Sequence, residues 1–123
     1  MIHLKTLSNL KHLDLSNTQI TDEGISHLKG LTSLEQLVLD NTQVTDAGLI
    51  HLEGLPRLSH LYLFKTRITD AGLTHLRWLL SLEFLNLDNT RVTPAGADIL
   101  QQAIPGCDIN YALREMPSAS APP

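Results

Sequence analysis

Residues 58–79 read LSHLYLFKTRITDAGLTHLRWL, and the frame of that stretch recurs three more times in the chain. Its opening residue, Leu58, has counterparts at Leu10, Leu34 and Leu82, a constant 24-residue step. Written once, the unit is L-x-x-L-x-L-x-x-T-x-[IV]-T-[DP]-x-G-[LIA]-x-[HI]-L-x-x-[LA]. Repetition at a fixed period of this length marks a stacked architecture, in which no unit buries its apolar face alone and its neighbours supply the cover.

Within one unit, Leu61 and Leu63 alternate as in a short strand whose leucines face one way, and a turn and a short helix follow. Thr69 falls where a helix cap belongs, and in the fourth copy the next residue is Pro94, the residue favoured at the first helical position. Asp22, Asp46 and Asp70 share that position and are expected to meet the positive end of the helix dipole, worth about 0.3–1 kcal/mol each. Ile20 with Ile25, Val44 with Leu49 and Ile68 with Leu73 have the spacing of a hydrophobic staple. Gly24, Gly48, Gly72 and Gly96 recur at the third helical position, where Gly costs about 0.5–1 kcal/mol relative to Ala. Their recurrence implies a close approach of the helix to its own strand or to the next unit, which a Cβ would push apart.

The 123 residues form one domain by size, and 42% apolar content suffices for a core that is aliphatic, since aromatics are only 4%. Nine basic against thirteen acidic residues leave a net charge of −4, and no Lys/Arg cluster is visible in the sequence, which argues against a nucleic-acid or anionic-membrane partner. A lone Cys107 cannot form an internal disulfide, so packing must hold the fold. Residues 1–20 interleave His3, Lys5, Lys11, His12 and Asp14 with leucines, so neither a signal peptide nor a membrane span is expected, and the default location is cytoplasmic.

In chain order, residues 1–9 match only the end of a helix, with His3, Leu4 and Leu7 aligned to His27, Leu28 and Leu31. Four 24-residue units are expected over 10–105, then a terminal edge strand within 106–112, since Ile109 and Tyr111 continue the register of Leu85 and Leu87. Residues 113–123 have the composition of a disordered tail. A solenoid normally closes with a polar capping repeat. None is visible at the amino end, so the chain reads as a fragment of a longer array, or as one that self-associates through its open N-terminal edge.

The string L-x-x-L-x-L-x-x-T-x-[IV], in four phased copies, resembles the signature of leucine-rich repeats. With ITDxGL after it, the chain is similar to bacterial leucine-rich repeat proteins of the TDxGL type and, more distantly, to the cysteine-containing repeats of F-box substrate receptors. The resemblance implies an α/β solenoid, a curved right-handed superhelix with a short parallel sheet on the concave face and short helices on the convex face, used as a non-catalytic platform for a protein partner. Two departures are evident. The family's inward Asn or Cys is Thr18, Thr42, Thr66 and Thr90, each offering a hydroxyl to a neighbouring carbonyl, and no F-box-like segment is present, so a ubiquitin-ligase role does not transfer.

On that architecture the concave face can be written as columns: His12, Gln36, His60, Phe84; then Asp14, Val38, Tyr62, Asn86; then Ser16, Asp40, Phe64, Asp88. Strands about 4.8 Å apart predict one patch of Tyr62, Phe64 and Phe84 flanked by Asp40 and Asp88. Three of the chain's five aromatics would lie there, and exposed aromatics are typical interface anchors. A sheet of this size offers roughly a third of the about 800 Å² per partner of a standard interface, so adjoining loops or further repeats must contribute. The alternative to a binding module is a structural segment of a longer solenoid.

Other ladders read as structure. His3, His27, His51 and His75 recur on helices about 8–10 Å apart, where two neighbours could share a zinc ion held at about 2.0–2.1 Å only with favourable rotamers, and no carboxylate recurs beside them, so a flanking ring that packs on the next helix is expected instead. Lys5, Lys29, Glu53 and Arg77 read as an exposed charge ladder with Glu53 between two cations. Trp78, in the place of Gly30 and Gly54, is expected to cover a helix end, a convex contact being the alternative. Cys107 has no neighbour to activate it. No Gly-rich phosphate loop, zinc motif or nucleophile elbow occurs. No catalytic residue, cofactor or metal is expected.

Overall fold

A computed structural model describes residues 9–111. The helix end expected before Asn9 and the tail expected at 113–123 lie outside the described residues. Five strands of three residues each, β1 (His12–Asp14), β2 (Gln36–Val38), β3 (His60–Tyr62), β4 (Phe84–Asn86) and β5 (Asp108–Asn110), form one parallel sheet in sequence order. Between them lie α1 (Asp22–Ser26), α2 (Asp46–Leu49), α3 (Asp70–Leu76) and α4 (Pro94–Ala103). The two units with a glycine at the exit, Gly30 and Gly54, leave their helix through a tighter 3-10 turn, at His27–Gly30 and Ile50–Leu52. Where Trp78 and Gln102 replace it, the α-helix runs longer, seven residues in α3 and ten in α4.

The register advances by one repeat per strand, so Leu13, Leu37, Leu61, Leu85 and Ile109 form a single row. Leu37, Leu61 and Leu85 are fully buried, and the staple residues Ile25, Val44, Leu49, Ile68 and Leu73 belong to the same core. Each buried leucine contributes about 1.5–3 kcal/mol, so the stability lies in this row and in the helix leucines facing it. The α/β solenoid expected from the repeat is the fold observed.

Hydrogen bonds show how the turns work. Thr42, Thr66 and Thr90 are buried and donate to Leu39, Leu63 and Leu87 carbonyls at 2.7–2.8 Å, so each hydroxyl closes the turn of its own unit and ties nothing to the next. The residue before each threonine, Asn17, Asn41, Lys65 and Asn89, is left-handed, with φ between 53° and 61°. Asn tolerates that region better than most residues, and the Asn41 amide donates to the Asn17 side chain at 2.7 Å. Lys65 has no amide to continue this ladder.

The tie between units comes from the helix-start aspartates. Asp22 accepts the Thr45 N–H at 2.7 Å and the Thr45 hydroxyl at 2.5 Å, Asp46 does the same for Thr69, and Asp70 for Thr93. Each carboxylate therefore clamps the cap threonine of the following unit, a larger role than the dipole contact expected. The clamp also explains the glycines. A Cβ on Gly48 would sit 2.5 Å from Asp22 Oδ1, and Cβ atoms on Gly72 and Gly96 would overlap Asp46 and Asp70. At Gly24 the atom in the way is Cγ1 of Ile20 in the same unit.

Candidate functional site

The sheet face opposite the leucine row carries the columns read from the sequence. His12, Gln36, His60 and Phe84 pair in register, as do Asp14, Val38, Tyr62 and Asn86, and β5 extends them with Asp108 and Asn110. Alternation along each strand, with a leucine inward and both neighbours outward, places them there. Gln36, Val38, His60, Tyr62, Phe84 and Asn86 are half-buried, and His12 and Asp14 are exposed.

The aromatics come together differently from the expected patch. Tyr62 and Phe84 ring centroids lie 5.2 Å apart at 46°, and Phe84 lies 6.2 Å from the His60 ring at 30°, within the range of favourable aromatic pairs. The cluster is thus His60–Phe84–Tyr62. Phe64, 37% exposed, joins no ring pair among the described residues and sits at its rim. Asp40 reaches across one unit to accept the Phe64 N–H at 2.9 Å, and Asn86 accepts the Asp88 N–H at 2.9 Å. Burial raises the Asp40 pKa, the Phe64 N–H opposes that rise, and the Asp14 charge adds to it. Asp14 itself is lowered, by the Ser16 hydroxyl and then the Ser16 N–H.

On the convex side two expectations need correction. Glu53 pairs with His75, Oε2 to Nδ1 at 2.8 Å, and among the described residues it makes no ion pair with Lys29 or Arg77, so a carboxylate does stand beside the histidine ladder. No group of three or more His, Cys, Asp or Glu among the described residues is placed to hold a metal ion. Trp78, expected to cover a helix end, stands largely in solvent: it is 59% exposed, with the Arg77 guanidinium 5.0 Å over its ring. Leu80 is exposed as well, and the exposed Ile99 lines a groove of about 440 Å³ between α3 and α4 together with Leu73, Thr74, Arg77, Ala95 and Ala103. Cys107 is a free, buried thiol whose pKa burial, and then the Asp108 charge, push up to about 11.

The sequence reading missed one group. Lys65, Arg67 and Arg91 line a single hollow of about 450 Å³ on the loops between sheet and helices. Although no basic run occurs in the chain, Arg91 lies one repeat after Arg67. Columns written for the loops, like those for the strands, contain the pair.

The family model for leucine-rich repeats, in two copies, matches residues 8–51. No curated protein matches the chain. Among solved structures, internalin C2 from Listeria monocytogenes is similar, with 27% identity over 95% of this chain and a TM-score of 0.75. The chain spans 50% of the internalin chain, about half its length. A leiomodin-1 structure described as actin-binding site 2 has 18% identity and a TM-score of 0.70, covering 90% of this chain and 76% of that one. The Chaetomium Mex67:Mtr2 structure has 20% identity and a TM-score of 0.66, covering 91% and 86%. The last two likenesses concern the fold alone.

Proposed function

The chain is a leucine-rich repeat protein, and on that premise we propose that it is a protein-binding module whose partner lies across the concave sheet face and adjoining loops. The observation that carries the proposal is the His60–Phe84–Tyr62 cluster. Leucines fill the core on the opposite side of the sheet, so packing does not require these rings, and partly exposed aromatics are the groups that dominate protein interfaces. His12, Asp14, Gln36, Val38, Asp40, Phe64, Asn86 and Asp88 complete the proposed surface. The leiomodin and Mex67 structures are described by an actin-binding site and by an Mtr2 subunit, which supports a protein as partner. A non-catalytic, cofactor-free cytoplasmic setting, with neither nucleic acid nor membrane as partner, belongs to the same proposal. So does the division into four units over 10–105 and an edge strand within 106–112. Among the described residues no helix is long and apolar enough to cross a membrane.

The test is the double variant Tyr62→Ala/Phe84→Ala. Truncating two anchor rings is expected to weaken partner binding by at least about 30-fold while the urea midpoint stays close to that of the parent. Capture of the same protein by the parent and by the convex control Trp78→Ala, but not by the double variant, is the expected pattern. Equal capture by all three chains overturns the proposal.

A second reading, a structural segment that stacks on another leucine layer, is favoured by one observation. Leu10, Leu13, Leu15 and Ile20 are only partly buried, whereas their counterparts Leu34, Leu37, Leu39 and Val44 are fully buried. Another repeat, or a second copy, would complete that cover. Sedimentation velocity is expected to show dimers that grow with concentration if a second copy does so. A monomer at every concentration removes self-association.

A further inference from the structure

We infer that the hollow lined by Lys65, Arg67 and Arg91 is an anion-binding subsite that receives the side-chain carboxylates of an acidic segment of the protein partner. This rests on the protein-binding reading above and names the chemistry of what binds. Arg67 and Arg91 occupy the same place in consecutive units, and two backbone contacts fix the stacking: Arg91 N–H donates to the Ile68 carbonyl at 2.9 Å, and Thr69 forms a parallel bridge with Arg91. Lys65 enters from the left-handed turn, where the other three units carry Asn. All three side chains are exposed, and the rest of the hollow is polar, with Thr18, Asn41 and Gln43 among its walls.

Among the described residues no carboxylate lines the hollow, and the ion pair found among them, His75–Glu53, lies elsewhere on the surface. A chain of net charge −4 therefore gathers three of its nine Lys and Arg residues around one concavity. Like charges in adjacent rungs repel, and an anion placed between them removes that cost and gains charge-assisted hydrogen bonds. Of these cations, guanidinium groups bind carboxylates in a two-pronged fork, and two of the three are arginines. Phe64, the exposed rim of the aromatic surface, immediately precedes Lys65. A single extended segment can thus rest an apolar side chain on the sheet face and direct acidic ones into the hollow. The favourable field also speeds the encounter of such a segment.

The experiment is an NMR titration of the full chain with a hexaglutamate peptide at low salt, with hexaglutamine and a single-stranded RNA hexamer as comparisons. Saturable shifts are expected at the amides of Thr66, Arg67 and Arg91 with hexaglutamate and not with hexaglutamine. Arg67→Gln/Arg91→Gln, both at exposed side chains, is expected to weaken hexaglutamate binding by about tenfold, the loss of roughly one charge-assisted contact. The Tyr62→Ala/Phe84→Ala chain is expected to bind hexaglutamate as the parent does, which keeps this inference separable from the aromatic one. Absence of shifts at those amides, unchanged affinity in the arginine variant, or tighter binding of the RNA hexamer overturns it. Partner capture that depends on Tyr62 and Phe84 would survive any of these results.

Discussion

Replacing Gly72 by alanine is expected to lower stability by about 2–3 kcal/mol, although alanine in a helix is by itself favoured by up to about 1 kcal/mol. The added Cβ would occupy the place of the Asp46 carboxylate, which there accepts both the Thr69 N–H and its hydroxyl. Hydrogen bonds to a charged group contribute about 1.5–3 kcal/mol each, and Asp46 and Thr69 are both half-buried, so displacing the carboxylate outweighs the helix gain. Urea unfolding with an unchanged slope and a lower midpoint is the readout. Gly54→Ala is the control, since nothing lies within 4 Å of the place its Cβ would take and no glycine among the described residues has positive φ. In an Asp46→Ala background the carboxylate is gone and only the Leu49 side chain, 3.0 Å from the added Cβ, remains close, so Gly72→Ala is expected to cost much less than in the parent. Additive losses in that double-mutant cycle would show that the glycine serves something other than the clamp.

Leu61→Ala is expected to cost about 3–5 kcal/mol, the upper part of the range for large-to-small changes in a core that cannot collapse. Leu61 is 0% exposed and lies between Leu37 and Leu85 in the central row, so the void it leaves has fixed walls above and below. Leu13→Ala, in the first rung and only partly buried, is expected to cost less than half as much. Stability in a stack of repeats is approximately a sum over units and their nearest-neighbour contacts, which is why the same substitution depends on the rung. Equal urea midpoints for the two variants would contradict a core that is tightest in its middle layers.

The parts of this fold that depend on the repeat length were legible. Strand register, the leucine row and the concave columns all follow once every unit has the same length, and Thr21, Thr45, Thr69 and Thr93 do stand at the helix starts. What escaped is diagonal. Asp46 reaches Thr69, 23 residues on, and Glu53 reaches His75, 22 residues on, so columns built at the repeat spacing set these partners in different rows. The glycine clash was foreseen as a close approach, but the group responsible belongs to the preceding unit and becomes visible only when the units are stacked. At the site, the columns placed Tyr62 and Phe84 on one face, yet the ring pair forms between adjacent columns, and Phe64 falls outside it because its place lies beyond the strand, where Asp40 holds its backbone N–H. The hollow of Lys65, Arg67 and Arg91 was missed because charge was sought in runs along the chain, whereas the fold gathers it across rungs.

The aspartate clamps give the stack a polarity. Every carboxylate serves the unit that comes after it, and the fourth unit carries Pro94 where the others carry Asp. Whole cassettes, each one repeat long, could therefore be duplicated or exchanged upstream of α4, since each brings both the acid for its successor and the threonine for its predecessor. A cassette spliced behind α4 would find its threonine with no acid to receive it, so lengthening the protein in that direction calls for Pro94→Asp first.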